Sequence, residues 1–168
     1  KQLINVSPQE TAVAEKLSVR ENLELIARIY GADRKTAKSK VDDMIEKFDM
    51  HEIVNSRAKT LSGGWQRRLS IAMALISEPE ILFLDEPTLG LDVLARRELW
   101  TVIEKLKGKI TIILTTHYLE EAEALSDRIG IMAKGELKAE NTAENLKRLA
   151  DTDSFEEAFI RIAGEGVK

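Results

Sequence analysis

Two short, nearly unbroken runs of apolar β-formers, Ile81-Leu82-Phe83-Leu84 and Ile110-Thr111-Ile112-Ile113-Leu114, constrain this chain most. Runs without polar alternation read as strands covered on both faces, and such strands belong to parallel sheets. A parallel pair needs a crossover that returns the chain to the same end of the sheet. The interval between the runs supplies one, with Leu99, Val102, Ile103 and Leu106 at helical spacing, and such crossovers are right-handed. Leu3-Ile4-Asn5-Val6-Ser7 reads as a further strand. The fold class is α/β.

The stretch between the opening strand and the first run has a different period. Ser18-Val19-Arg20-Glu21 has capping-box spacing, which satisfies the orphan amides of a helix start. Val19, Leu23, Ile26, Ile29 and Tyr30 then share one helical face, and Gly31 is placed to end the helix. A second amphipathic helix carries Ala37, Val41, Met44, Ile45 and Phe48 on its stripe, and its Lys- and Asp-rich side reads as a solvated face. A third opens at Ser62-Gly63-Gly64, has Leu69, Ala72, Met73 and Ile76 at core spacing, and stops at Pro79. Leu17 to Ile76 is therefore an all-helical insertion. Beyond the second run the pattern predicts a helix from Leu119 to Leu125 and a strand over Ile129-Gly130-Ile131-Met132. A turn at Gly135 leads into Leu137-Lys138-Ala139, and short helices follow. The expected organisation is 1–16 as strand and loop of the α/β core, 17–76 as helical subdomain, 77–140 as the remaining core, and 141–168 as C-terminal helices.

Composition narrows the partners. With 168 residues the chain can bury the core of one domain. Lys+Arg 25 against Asp+Glu 29 gives a net charge of −4, which argues against a general nucleic-acid or membrane-surface binder. No cysteine is present, which excludes disulfides, thiolate metal sites and thiol nucleophiles. No apolar run approaches the ~20 residues of a membrane span, so a soluble, cytoplasmic chain is expected. Residue 1 is Lys rather than Met, and a strand begins almost at once. The expectation is a piece of something longer.

In open α/β sheets ligands gather at the carboxyl ends of the strands. The first run ends in Asp85-Glu86-Pro87, the second in Thr115-Thr116-His117, and the opening strand in Ser7-Pro8-Gln9. If these strands are neighbours, Gln9, Asp85, Glu86 and His117 converge on one crevice. That set suits Mg²⁺-assisted attack of water on a phosphate. Asp85 would hold the ion directly or through water, since Mg²⁺ prefers oxygen ligands and keeps waters. Glu86 would polarise the attacking water, and Pro87 biases it toward an extended backbone. The plainer alternative for Asp85-Glu86 is a helix N-terminus with acids that complement its dipole. For His117 taken singly it is an ordinary core or surface histidine. His51 has no such context. Leu61-Ser62-Gly63-Gly64 lets backbone amides and a hydroxyl approach an anion closely, or is simply a capped Ser-Gly turn.

Taken together and in order, from residue 3 to about 140, these pieces resemble the ATP-binding cassette (ABC) ATPase family. Pro8-Gln9-Glu10 resembles its Q-loop, Leu61-Ser62-Gly63-Gly64 its signature motif, and Ile81-Leu82-Phe83-Leu84-Asp85-Glu86-Pro87 its Walker B strand with the catalytic Glu. Thr88-Leu89-Gly90-Leu91-Asp92 resembles the D-loop and Thr116-His117 the switch histidine. The resemblance implies part of a P-loop NTPase (RecA-like) parallel sheet with an all-helical signature subdomain. It also implies two such domains paired head to tail around two ATP molecules. Ser62, Gly63 and Gly64 would then contact the γ-phosphate bound by the opposite subunit, and Asp92 would lie at the shared interface. Asp85 would serve Mg²⁺, Gln9 would sense Mg²⁺ and the attacking water, and His117 would touch the γ-phosphate. The Gln9 loop would meet transmembrane subunits, which places the protein on the inner face of the cell membrane. No nucleic-acid partner is expected.

Two departures refine this. Trp65 stands where the family most often has Gln. With Gln66-Arg67-Arg68, Asp92-Val93, Arg96-Arg97-Glu98-Leu99-Trp100 and Ser154-Phe155-Glu156-Glu157-Ala158-Phe159, it resembles the branch serving drug, sodium and lipid exporters. A P-loop, Gly-x4-Gly-Lys-[Ser/Thr], is not found. The one Gly-x4-Gly, Gly130 to Gly135, continues into Glu136-Leu137 and reads as a turn. The expectation is the C-terminal part of a transporter ATPase that is inactive alone and self-associates through apolar flanks. The competing expectations are a non-transport ABC-type ATPase of chromosome maintenance or the ribosome, and a non-catalytic interaction module.

Overall fold

The computed structural model describes residues 3–165. The chain divides into two compact units, one reaching Thr115 and the other starting at Thr116. In order, the first unit contains β1 (Ile4–Ser7), α1 (Val19–Ile29), α2 (Arg34–Lys47), a 3-10 turn (Ala58–Thr60), α3 (Gly63–Leu75), β2 (Ile81–Asp85), α4 (Val93–Leu106) and β3 (Thr111–Thr115). The second holds α5 (Leu119–Leu125), β4 (Ile129–Ala133), β5 (Glu136–Asn141), α6 (Ala143–Leu149) and α7 (Phe155–Glu165). Among the described residues no helix is long and apolar enough to cross a membrane.

β1, β2 and β3 form a parallel sheet in that order, with Ser7 opposite Leu84 and Asp85 opposite Thr115. This is the α/β sheet the apolar runs predict, and its crossover helix α4 buries Leu99, Val102, Ile103 and Leu106. Cover varies from strand to strand. Leu82 and Leu84 of β2 are buried while Ile81 and Phe83 are half-buried, and no residue of β3 is buried, with Ile113 at 42% exposure. β1 and β3 are the edges of a three-stranded sheet among the described residues. An apolar run reports how well a strand tolerates cover, not whether cover is present.

The helical insertion forms as the caps prescribe. The Ser18 hydroxyl accepts from the Glu21 amide at 3.2 Å, and Glu21 Oε2 accepts from the Ser18 amide at 2.7 Å. Gly31 ends the turn after α1 with φ +84°, a conformation that glycine adopts at no steric penalty. Asp33 caps α2 by accepting from the Thr36 amide at 2.7 Å. Ala37, Val41, Met44, Ile45 and Phe48 are all buried, as their spacing predicts.

The predicted face of α1 is covered at its start, with Ile26 half-buried, and is open at its end. The buried residues of α1 are Val19, Asn22, Leu23 and Ala27, while Ile29 is 66% exposed and Tyr30 is exposed as well. Asn22 is buried because it has polar partners: it donates to the carbonyls of Ala14 and Ser18 at 3.1 and 2.9 Å, and its Oδ1 accepts from the Ala14 amide at 2.8 Å. That amide side chain satisfies the backbone of the preceding loop from inside.

Polar contacts fix β1 to α3. Asn5 Nδ2 donates to the Ala74 carbonyl at 2.8 Å and to Ser77 Oγ at 3.1 Å, and the buried hydroxyls of Ser7 and Ser70 lie 3.2 Å apart. In the second unit β4 and β5 pair antiparallel through Lys134-Gly135, whose φ values of 53° and 76° suit a tight hairpin turn. Ile129, Ile131, Leu146, Ala150, Phe155, Ala158 and Ile162 make the core of that unit.

Two outcomes check this description. Phe48→Ala, at a fully buried site, is expected to destabilise by about 3–5 kcal/mol, and Ile29→Ala by under about 0.5 kcal/mol, in urea unfolding. Glu21, ordinarily at 4.5, and Asp33, ordinarily at 3.8, are both held lower by backbone hydrogen bonds, from Ser18 and Thr36 respectively. Their contribution to stability is therefore complete above those ordinary values and is lost as pH falls through the lower folded ones. Glu21→Gln with Asp33→Asn should flatten the acid-side fall of Tm in melts below about pH 4.5.

Candidate functional site

Because β1, β2 and β3 are parallel and in register, their carboxyl ends open on one side of the sheet. Asp85 closes β2 beside Thr115 of β3, whose hydroxyl donates to Asp85 Oδ1 at 2.6 Å. The Glu86 amide donates to Thr115 twice, to its carbonyl at 3.1 Å and to its Oγ1 at 3.2 Å. Thr115 thus orients both acids, a role that its place at the end of an apolar run signalled only by a hydroxyl in the last position. Glu86 has φ +45°, not the extended backbone that Pro87 predicts, and uncommon for a residue with a side chain. Strain of that kind persists only where surrounding bonds hold it. Pro87 follows and is buried.

A second group holds the same backbone, and the sequence pattern did not single it out. Arg67 of α3 is 4% exposed. Its Nη1 donates to the Pro8 carbonyl at 2.6 Å, and its Nη2 donates to the carbonyls of Gln9 and Glu86, the latter at 3.3 Å. Burial lowers the Arg67 pKa and the charge of Asp85 opposes that. The guanidinium stays a cation. The signal for Arg67 lay in its phase: it shares a helical stripe with Ser70, Ile71 and Ala74, all buried. A charge on a core-facing stripe needs partners. Gln9 is held by its backbone, and its side chain is exposed.

The Ser-Gly-Gly turn starts α3. Ser62 is its N-cap, with Oγ accepting from the Trp65 amide at 3.4 Å, and Gly63 and Gly64 occupy the first turn, where amides lack helical partners. Gly64 also meets α4 closely, since a Cβ there would stand 3.1 Å from the Ala95 methyl. Asp92 caps α4, accepting from the amides of Leu94 and Ala95 at 2.9 and 3.0 Å. Arg68 lies over the Trp65 ring, 4.5 Å from its centroid, and donates to Glu98 of α4 at 2.6 Å. The two helix starts are therefore packed as one piece.

The structure brings Asp85, Glu86 and the Gln9 backbone together around Arg67 and Thr115. Ser62, Gly63, Gly64 and Asp92 lie at the starts of α3 and α4. His117 belongs to the second unit, exposed, with its ring tilted by 39° against Tyr118 at 4.2 Å between centroids. Among the described residues no three His, Asp or Glu side chains gather closely enough to hold a metal ion. One carboxylate braced by a hydroxyl fits a hard cation that keeps most of its ligands as water and phosphate oxygen.

The chain is similar to known proteins over nearly its whole length. A family model described as ABC transporter matches residues 1–89. Daunorubicin resistance ATP-binding protein DrrA3 of Streptomyces coeruleorubidus is 41% identical over 163 residues, covering 96% of this chain and 51% of that protein. Phospholipid-transporting ATPase ABCA3 of Homo sapiens is 40% identical over 145 residues, 86% of this chain and 8% of that one. A solved structure described as the ATP binding subunit of an ABC transporter superposes with a TM-score of 0.78 at 28% identity, covering 95% of this chain and 68% of the other. The chain thus spans about half the length of the bacterial relative. Its fold is the α/β, partial P-loop NTPase fold with a helical signature subdomain, and it resembles the drug exporter branch. The chain belongs to the ABC transporter family.

Proposed function

We propose that this chain is part of the nucleotide-binding subunit of an ABC transporter close to the drug, sodium and lipid exporter branch, an ATPase that couples ATP binding and hydrolysis to transport across a membrane. The observation that carries this reading is the pair of acids after β2, with Asp85 taking the Thr115 hydroxyl and Glu86 taking two bonds from its amide to Thr115. Such bracing presents one carboxylate to a cation and leaves its neighbour beside it for a water. In this reading 17–76 is the helical subdomain, and 1–16 with 77–140 belong to the α/β core.

Glu86 accepts a proton from the attacking water. That water's oxygen bonds the γ-phosphorus as the bond to the β-phosphate oxygen breaks, which yields ADP and phosphate. Asp85 and Gln9 would hold Mg²⁺, directly or through water, and the ion would supply positive charge against that developing on the phosphates. His117 donates to a γ-phosphate oxygen. Ser62, Gly63 and Gly64 offer a hydroxyl and first-turn amides to the phosphate of a second ATPase domain, docked head to tail with Asp92 at the seam. The Gln9 loop passes the closing and opening movement to transmembrane subunits at the inner face of the membrane. A P-loop outside these 168 residues completes the site, since the pattern Gly-x4-Gly-Lys-[Ser/Thr] is not among them.

Two measurements test this. In the full-length ATPase with its transmembrane subunits, Glu86→Gln should lower phosphate release by roughly 10²–10⁴-fold while fluorescent ATP still binds. Unchanged hydrolysis would overturn the assignment. The 168 residues alone should release no phosphate from ATP above buffer. Robust hydrolysis by them, abolished by Glu86→Gln, contradicts the shared site.

A further inference from the structure

Arg67 is a buried cation with no carboxylate bound to it. Among the described residues all three of its hydrogen bonds go to backbone carbonyls, those of Pro8, Gln9 and Glu86. These carbonyls belong to two separate loops, one leaving β1 and one leaving β2. A position that only filled space would be served better by an apolar side chain, because burying a charge carries a heavy desolvation penalty. The guanidinium is planar and forked, so it can span carbonyls of two loops at once, whereas a lysine ammonium is a single point charge on a flexible stem. Glu86 moreover sits at φ +45°, and its carbonyl is one of the three that Arg67 takes. The hold is on the backbone, so it does not depend on which side chains stand at positions 9 and 86.

We propose that Arg67 is a positioning residue for hydrolysis. Through the carbonyls of Pro8, Gln9 and Glu86 it sets the Gln9 loop and the Glu86 carboxylate at a fixed separation. It stands on the helix that begins with Ser62-Gly63-Gly64, so it also ties that start to both loops as one rigid piece. This inference rests on the ATPase reading above. It adds a residue that acts through the backbone of two loops.

The test uses the full-length ATPase with its transmembrane subunits, carrying Arg67→Lys and, separately, Arg67→Met. Arg67→Lys should leave ATP affinity within about threefold of wild type and lower kcat by roughly 10–100-fold, the scale of a small misplacement of reacting groups. Combined with Glu86→Gln it should produce no further loss, because residues that act through one another are not additive. Hydrogen exchange in the nucleotide-free protein should quicken at the amides of 9–10 and 86, and both substitutions should show it. Wild-type kcat in Arg67→Lys, an equal loss with and without Glu86→Gln, or unchanged exchange overturns the proposal. So does a lowered Tm with kcat intact, or failure of both variants to fold, since either makes Arg67 structural only. A wild-type protein that hydrolyses no ATP defeats the ATPase reading instead, and the exchange measurement still decides whether Arg67 clamps the two loops.

Discussion

Parallel pairing in a common register is the constraint from which the site follows. With Ser7 opposite Leu84 and Asp85 opposite Thr115, the residues leaving β1 and β2 emerge at one level. A parallel sheet cannot make this arrangement with short turns, so each return must be a long crossover. One crossover is α4, and the other is the whole helical stretch from α1 to α3. The helical insertion is thus a connection between paired strands as well as a carrier of the Ser-Gly-Gly turn. A one-residue slip of β1 against β2 would move Ser7 away from Ser70 and take the Gln9 carbonyl out of reach of Arg67.

The same constraint explains why α3 is so polar for a buried helix. Arg67, Arg68 and Ser70 are buried along with Leu69 and Ile71 through Leu75. Each polar side chain has a partner that fixes α3 to another element. Ser70 meets Ser7 of β1, Arg67 meets the loops after β1 and β2, and Arg68 meets Glu98 of α4. Apolar packing would hold these elements together in several nearly equal arrangements. Hydrogen bonds with fixed partners select one, because a buried group that loses its partner is penalised by about 1–3 kcal/mol.

Much of the fold was legible, and the reason is physical. Caps and stops act within four residues, so Ser18 with Glu21, Gly31 and the Gly135 turn could be read directly. Core stripes on α2 and α4 follow from periodicity alone. On α1 periodicity gave Val19, Leu23 and Ile26, but not the buried Asn22, whose partners lie in a loop that no helical period describes. The apolar runs gave the strands themselves, while which of their faces is covered depends on the elements that lie alongside, about which a run carries no information. The place of Asp85 and Glu86 at the carboxyl end of a strand was legible from the apolar run before them. Arg67 and Thr115 were not, since both act on backbone atoms supplied by segments far away in sequence.

Several residues have two roles, and this shapes what substitution can reveal. Ser62 and Asp92, which the proposed function puts at the seam with a second domain, are also the N-caps of α3 and α4. Removal of such a cap weakens a helix start by about 1 kcal/mol, whatever else the side chain does. Gly64 adds a third case, because its missing Cβ makes room for Ala95 at the start of α4. An alanine at any of these positions therefore disturbs the packing of the two helix starts as well as any contact with a phosphate. Asp92→Asn separates the two roles: its side-chain oxygen still caps α4, while the charge that a partner domain would meet is gone. The Ser-Gly-Gly turn and the loop from Thr88 to Asp92 are thus best regarded as one structural piece. Its local function is to fix the directions of α3 and α4.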